Sequence, residues 1–178
     1  MVDAIQQGDR IEKVTIVRNG SEAAAFKGDQ AAFDELVSRA KTASLEKSRA
    51  KREADIAEIK EKYPDSLETP SGLRYRITRE GTGAKPNSGQ TVSMGYKGMF
   101  LSGQVFDASD IQGRPLEFRS GSGQIIPGIE ETVQDMRLGE KRLVVIPPEL
   151  AYGEQGAGGG LIPGDTFLVF EIELVEIR

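Results

Sequence analysis

Apolar and polar residues alternate in short segments throughout residues 70–178, and Gly or Pro residues separate the segments. Alternation with a period of two is typical of β-strands that bury one face, as in antiparallel sheets. The pattern predicts about five strands. Their apolar positions are Leu73, Tyr75 and Ile77; Val92, Met94 and Tyr96; Leu116 and Phe118; residues 143–146; and Leu168, Phe170, Ile172 and Leu174.

One short helix is predicted among these strands. Ile129 and Val133 lie four residues apart between Pro127 and Met136, and Gly139 follows as it does after many helix C-termini. A single short helix covers the buried face of a sheet only if the sheet curves around it. The predicted fold class is therefore α+β, with a curved antiparallel sheet of about five or six strands wrapped over one short helix.

A long helix is predicted before this sheet. Residues 29–63 contain neither Gly nor Pro and are rich in Ala, Glu, Lys, Arg and Leu, with Asp29 as a plausible N-cap and Pro64 as the stop. Between Leu45 and Ala54 nearly all residues are polar. The favoured interpretation is a solvated connector helix, and the alternative is a dimerisation surface. Apolar residues share one face near the two ends, at Phe33, Leu36, Val37 and Ala40, and at Ile56, Ile59 and Tyr63.

Composition excludes several classes of chemistry. The 178 residues include no Cys, His or Trp, so disulfide scaffolds, thiolate nucleophiles, imidazole bases and Cys or His metal sites are not available. The net charge of −5 argues against a broad surface for nucleic acid or anionic membranes. We expect no cofactor, no metal, no nucleic acid and no membrane partner.

No apolar run approaches the roughly 20 residues that span a bilayer. The N-terminus also lacks a basic segment followed by an apolar one. We therefore expect a cytoplasmic location, although a periplasmic or secreted form whose signal peptide has been removed would have the same sequence features.

The motifs of phosphate binding, calcium binding and nucleophilic catalysis are missing. Instead, aromatic and branched side chains stand next to turns, where they belong either to the core or to an apolar pocket. Asp107 and Tyr152 favour a pocket, because each places a polar group beside apolar surface. The apolar set is Tyr96, Phe106, Phe118, Ile125, Ile126, Ile129, Tyr152, Ile162 and Phe170.

At these residues the sequence resembles the FKBP-type peptidyl-prolyl cis-trans isomerases, the tacrolimus-binding immunophilins. The resemblance covers about 110 residues, from Thr69 to the end, in motifs that follow in order. It implies an isomerase that rotates X-Pro bonds and assists protein folding. The motifs are TPSGLRYRI, YKG, GQVFDAS, GSGQIIPGIEE, MRLGEKR and IPPELAYGEQGAGGGLIPGDTFLVFEIEL.

The resemblance also implies a role for each residue of the cleft. Phe106, Ile129 and Phe170 would surround the substrate proline ring, and the Ile126 amide and the Tyr152 hydroxyl would donate hydrogen bonds to ligand carbonyls. The expected catalytic residues are Tyr96, Phe106, Asp107, Ile126, Tyr152 and Phe170, and the expected substrate-binding residues are Phe118, Ile125, Ile129 and Ile162.

Three departures from the family pattern are expected to affect the turnover rate and the affinity for macrolides more than the fold. Ile129 stands where Trp is frequent, so we expect a deeper, less aromatic floor. Leu116 stands where Phe is common, and the loop of residues 153–163 has one additional glycine compared with the common bacterial form. The expected partners are proline-containing polypeptides, with macrolides such as tacrolimus or rapamycin as further candidates.

The first residues resemble a different isomerase family. Residues 2–18 are similar to the closing turn and last strand of a cyclophilin, which suggests a fragment of a cyclophilin–FKBP fusion without cyclophilin motifs for activity. Residues 1–69 hold only 3 of the 21 glycines and 1 of the 8 prolines. We therefore divide the chain into a cyclophilin-like strand at 1–20, a connector or dimerisation helix at 21–68 and an isomerase domain at 69–178. The alternative function is a chaperone or assembly module that binds extended segments, for which the N-terminal helix offers a surface for a homodimer.

Overall fold

A computed structural model describes residues 30–178 of the chain. The predicted strand at residues 10–18, the cyclophilin-like segment and Asp29 lie outside the described residues. The helices are α1 (Gln30–Lys62), α2 (Ser109–Gln112) and α3 (Pro127–Asp135). The strands are β1 (Leu67–Glu68), β2 (Arg74–Arg79), β3 (Thr91–Phe100), β4 (Val105–Ala108), β5 (Leu116–Arg119), β6 (Lys141–Ile146) and β7 (Leu168–Ile177).

The strands form one antiparallel sheet in the order β1-β2-β6-β7-β3-β4, and β5 pairs with β3 beyond this path. The predicted α+β class, with a curved sheet and a short helix, is confirmed. The sheet has seven strands, and the two that the pattern did not predict are β1 and β4. β1 has only two residues, and in β4 the apolar Val105 and Phe106 are adjacent, so neither strand shows alternation.

The two faces of the sheet are covered by different helices. On β6, Val144 and Ile146 belong to the main core, together with Ile129 and Val133 of α3. The intervening Val145 points to the opposite face, because side chains alternate along a strand. There it packs in a second core cluster formed by Ile59, Val145, Phe167 and Val169, with Ile56 of α1 and Tyr63, which directly follows α1, against it.

The chain divides into two compact units between Leu45 and Glu46, within α1. In the first unit, Phe33 and Leu36 of α1 are exposed. In the second unit, residues of α1 from Ser48 onward contact the sheet and its loops. The domain division at residues 20 and 68 stays a prediction. In the described part of the chain, no helix is both long enough and apolar enough to cross a membrane.

Candidate active site

A cavity of about 500 Å³ opens between the strands of the main core and α3. Its lining combines residues from β3, β4, β5, β7 and the loops before α3 and after β6. Eight of the ten expected site residues meet there. They are Tyr96, Phe106, Asp107, Ile125, Ile126, Ile129, Tyr152 and Phe170.

Phe118 and Ile162 do not line this cavity. Their side chains are 5% and 6% exposed and belong to the main core cluster. Phe118 lies opposite Val92 in the β3–β5 ladder, on the face that packs inward. Direct substrate contact by Phe118 and Ile162 stays a prediction.

Several lining residues were not expected as site residues. Met94 lies two positions before Tyr96 on β3, so alternation along the strand was a signal that both share one face. Leu116 is not among the expected site residues, although the resemblance places it in the wall of the cleft, where Phe is common. Ala151 lies beside Tyr152, and its small side chain gave no signal. The other additional lining residues are Gly123, Gln124 and Pro127.

Aromatic rings form one wall of the cavity. The centroid of the Phe106 ring lies 5.8 Å from that of Phe170, edge to face, and 5.2 Å from that of Phe100. This arrangement needs Gly98 on β3. A Cβ atom at Gly98 would lie 2.7 Å from Cζ of Phe106 and 2.9 Å from Cε1 of Phe170, which is closer than such atoms approach. The missing side chain therefore makes room for the two rings.

Tyr96 and Asp107 form the polar edge of the cavity. The Tyr96 hydroxyl donates to Oδ2 of Asp107 at 2.7 Å, and Oδ1 of Asp107 accepts from the Ala108 N–H at 2.9 Å and from Nε2 of Gln112 at 3.0 Å. Burial acts to raise the pKa of Asp107, but the hydrogen bonds from Gln112, Tyr96 and the Ala108 N–H outweigh it and lower that pKa. Burial and then the Asp107 hydrogen bond raise the pKa of Tyr96. Asp107 is thus a fixed, ionised acceptor.

Two residues that line the cavity carry hydrogen-bond donors without a partner in residues 30–178. Ile126 directly precedes α3, and its carbonyl accepts from the N–H groups of Ile129 and Glu130 at 3.0 and 3.2 Å, whereas its own N–H is free. The Tyr152 hydroxyl is likewise unbonded within the described residues, and burial followed by the charge of Asp107 raises its pKa. Both groups are available to a ligand carbonyl.

The site contains no group suited to proton transfer near neutral pH, since its titrating residues are Asp107, Tyr96 and Tyr152, all shifted away from neutrality. Among residues 30–178, no three carboxylates converge as metal ligands would. The arrangement suits binding and desolvation of an apolar group whose carbonyl meets a few fixed donors.

A family model described as FKBP-type peptidyl-prolyl cis-trans isomerase matches residues 82–175. The chain belongs to this family. The FKBP chain is 46% identical over 112 residues to the FK506-binding protein of Streptomyces anulatus, covering 62% of the chain and 90% of that relative. It is 39% identical over 150 residues to the isomerase FkpA of Escherichia coli strain K12, covering 83% of the chain and 54% of FkpA. The predicted family is confirmed.

Solved structures agree with this assignment. The FKBP chain superimposes on the crystal structure of Escherichia coli FkpA with a TM-score of 0.66 at 37% identity, covering 83% of this chain and 69% of that one. Its TM-score to the crystal structure of AtFKBP13 is 0.61 at 38% identity, covering 64% and 98% of the two chains.

The FKBP chain spans about half the length of the FkpA relatives that it matches. It also matches Legionella longbeachae "Outer membrane protein MIP", at 39% identity over 133 residues, which cover 75% of this chain and 55% of that protein. The cytoplasmic location expected for this chain stays a prediction.

Proposed function

We propose that this FKBP chain catalyses cis–trans isomerisation of the peptide bond before proline. The observation that carries the proposal is the convergence of two aromatic rings, Phe106 and Phe170, and two free donors, Ile126 N–H and the Tyr152 hydroxyl, on one apolar cavity. The volume of about 500 Å³ lies within the range of cavities that hold small ligands.

Isomerisation of the X-Pro bond is slow because of its activation barrier. Rotation about a peptide bond costs ~18–20 kcal/mol because amide resonance is lost in the twisted geometry. The X-Pro bond prefers trans by only about 0.5–1 kcal/mol, yet it exchanges over tens of seconds or more. A catalyst therefore has to lower the barrier without shifting the equilibrium.

An apolar cavity lowers this barrier by distinguishing two states of the amide. The planar amide has a strongly polarised carbonyl that water solvates well, and the twisted amide is less polarised. Removal of water therefore disfavours the planar ground state more than the transition state. A hundredfold to millionfold acceleration requires only ~3–8 kcal/mol of such discrimination, and no nucleophile is involved.

Seven of the residues that line the cavity have a stated role in this proposal. Phe106, Ile129 and Phe170 enclose the proline ring, and the Ile126 N–H and the Tyr152 hydroxyl hold the flanking carbonyls. Asp107 fixes Tyr96 and the edge of the cavity through its three hydrogen bonds. Because Ile129 is aliphatic, the floor of the cavity contacts the proline ring without aromatic stacking.

The decisive experiment measures cis-to-trans exchange in a short X-Pro peptide with catalytic amounts of the chain. We expect the first-order rate to rise linearly with protein concentration in the micromolar range. A rate equal to that in buffer at every concentration would refute the isomerase proposal.

The same assay checks the desolvation mechanism through pH. The lowered pKa of Asp107 keeps it ionised, and the raised pKa values of Tyr96 and Tyr152 keep both hydroxyls neutral. We therefore expect equal rates at about pH 6 and about pH 8. A rate that changed tenfold across this interval would point to a titrating catalytic group and against the mechanism.

We further propose that the substrates are unfolded or partly folded polypeptides with exposed proline residues, and that the reaction assists their folding. The FK506-binding name of the Streptomyces relative supports macrolide binding to the same cavity. Ile129 at the floor argues for weaker macrolide binding than an aromatic floor would give.

A second candidate function is a homodimeric chaperone that holds extended segments, with α1 as its contact between chains. The supporting observation is the exposure of Phe33, Leu36 and Leu45 on α1, at 60%, 47% and 72%. Sedimentation of the full chain tests this candidate. We expect a dimer at high protein concentration, whereas a strict monomer at every concentration would rule out the dimer.

A further inference from the structure

The α1 segment that begins at Glu46 contacts two points of the connection between β6 and β7. Arg52 forms an ion pair with Glu149, and its guanidinium lies 5.6 Å from the centre of the Phe167 ring. Nζ of Lys51 donates to the carbonyl oxygen of Asp165 at 2.7 Å, and the Ser48 hydroxyl donates to Oδ2 of Asp165 at 3.0 Å. The helix thus contacts both Glu149 and Asp165.

Glu149 and Asp165 are the two ends of the loop that carries Tyr152. Glu149 lies in the 3₁₀ turn Pro148–Leu150, which leads directly into Ala151 and Tyr152. At the other end, the Asp165 N–H donates to the carbonyl oxygen of Gly153 at 3.0 Å. Glu149 thus lies three residues before Tyr152, and Asp165 is hydrogen-bonded to the residue that directly follows Tyr152.

The loop between these ends is rich in glycine. It contains five glycines with positive φ, at Gly153, Gly156, Gly158, Gly159 and Gly160. Glycine adopts more backbone conformations than any other residue, so such a loop loses much entropy when it is ordered. Its central part is held by reciprocal backbone hydrogen bonds between Ala157 and Ile162, at 2.9 and 3.0 Å, and by the side chain of Ile162 in the main core. The contacts from α1 act instead at the two ends of the loop, close to Tyr152.

We propose that Lys51 and Arg52 of α1 are positioning residues for the isomerase site: by holding Glu149 and Asp165 they fix the loop that places the Tyr152 hydroxyl at the cavity. The inference rests on the proposed isomerase function. It assigns the second half of α1 a role in the reaction, although no residue of α1 lines the cavity.

The ion pair between Arg52 and Glu149 supports this role. The hydrogen bond from Arg52 is the largest cause that lowers the pKa of Glu149, so the carboxylate is ionised at neutral pH. The side chains of Arg52 and Glu149 remain 46% and 59% exposed. An ion pair with this exposure contributes little to global stability. Its loss should therefore change the placement of the loop more than the melting temperature.

The test compares two matched variants of the full chain in the X-Pro peptide assay. Arg52→Met removes the contact with Glu149, and Arg49→Met removes an arginine whose ion pair, with Glu53, stays on the helix surface. We expect kcat/KM to fall about fivefold in Arg52→Met, which is less than the about hundredfold loss that a 1 Å misplacement can cause. Arg49→Met should match the wild type.

Hydrogen exchange gives a readout that is independent of activity. In Arg52→Met the amides of residues 150–165 should exchange about threefold faster or more, with the β3 and β7 amides unchanged. Arg52→Lys, which retains the charge, should restore most of the activity. The double variant Arg52→Glu with Glu149→Arg should also recover activity that each single variant lacks.

Two outcomes separate this inference from the function on which it rests. An inactive wild-type chain would refute the isomerase proposal. An active wild type, with equal kcat/KM and equal loop exchange in Arg52→Met and Arg49→Met, would overturn the positioning role alone. A fall in Arg52→Met activity accompanied by faster exchange throughout the sheet would also overturn it, because the effect would then be general destabilisation.

Discussion

Replacement of Phe106 by alanine is expected to lower kcat/KM for an X-Pro peptide by more than about tenfold, equivalent to about 1.4 kcal/mol of transition-state stabilisation. Phe106 packs edge to face on Phe170 and closes one wall of the cavity. Without this ring, water reaches the bound amide and again solvates its planar ground state. The domain should remain folded, because Phe106 is only partly buried.

Phe100→Ala is the matched control for Phe106→Ala. Phe100 is also partly buried and stacks on Phe106 at 5.2 Å, but it does not line the cavity. We expect similar decreases in melting temperature for the two variants and a large loss of turnover only for Phe106→Ala. If activity fell in step with stability in both variants, Phe106 would be a core residue and not part of the site.

Asp107→Ala is expected to lower kcat/KM by more than about tenfold, because hydrogen bonds to a charged group contribute about 1.5–3 kcal/mol each. The variant leaves the Tyr96 hydroxyl, the Ala108 N–H and the Gln112 amide without their shared acceptor. Tyr96 would then be free to turn within the cavity. Peptide exchange rates together with thermal unfolding measure the effect.

Two further variants distinguish the anchoring of Tyr96 by Asp107 from a general effect of the negative charge of Asp107. Asp110→Ala removes an equal charge from α2, at a residue outside the cavity lining, and should leave the rate unchanged. If Asp107 acts by fixing Tyr96, the loss in Asp107→Ala combined with Tyr96→Phe should be smaller than the sum of the two single losses. Full additivity, or an equal loss in Asp110→Ala, would contradict the proposed anchoring role.

Local patterns were sufficient for most of the secondary structure. Alternation along β3 and β7 predicted two long strands, and Pro127 followed by Ile129 and Val133 predicted α3, which ends at Asp135. These elements are readable because their apolar spacing repeats several times along one face. β1 and β4 are held by pairing with β2 and β3, their neighbours along the chain, so their strand character depends on that pairing and not on an apolar repeat of their own.

The site was predictable in type but not in full detail. Motif order identified eight lining residues, because the family pattern preserves the positions around the cavity. It did not distinguish Ile129, which lines the cavity, from Ile162, which does not, although both belong to the main core. Nor did it indicate that Gly98 is the residue that admits the two phenylalanine rings. Both facts depend on distances between strands.

The amino-acid sequence by itself determined the α+β class, the long helix, the family and the chemistry available to a chain without Cys or His. Only the tertiary structure decided which face of the sheet receives Ile59 of α1, and that Arg52 meets Glu149 across 97 positions of sequence. The physical reason is that periodicity and motifs describe each element alone. Contacts such as Lys51 with Asp165 arise only when the folded sheet brings distant segments together.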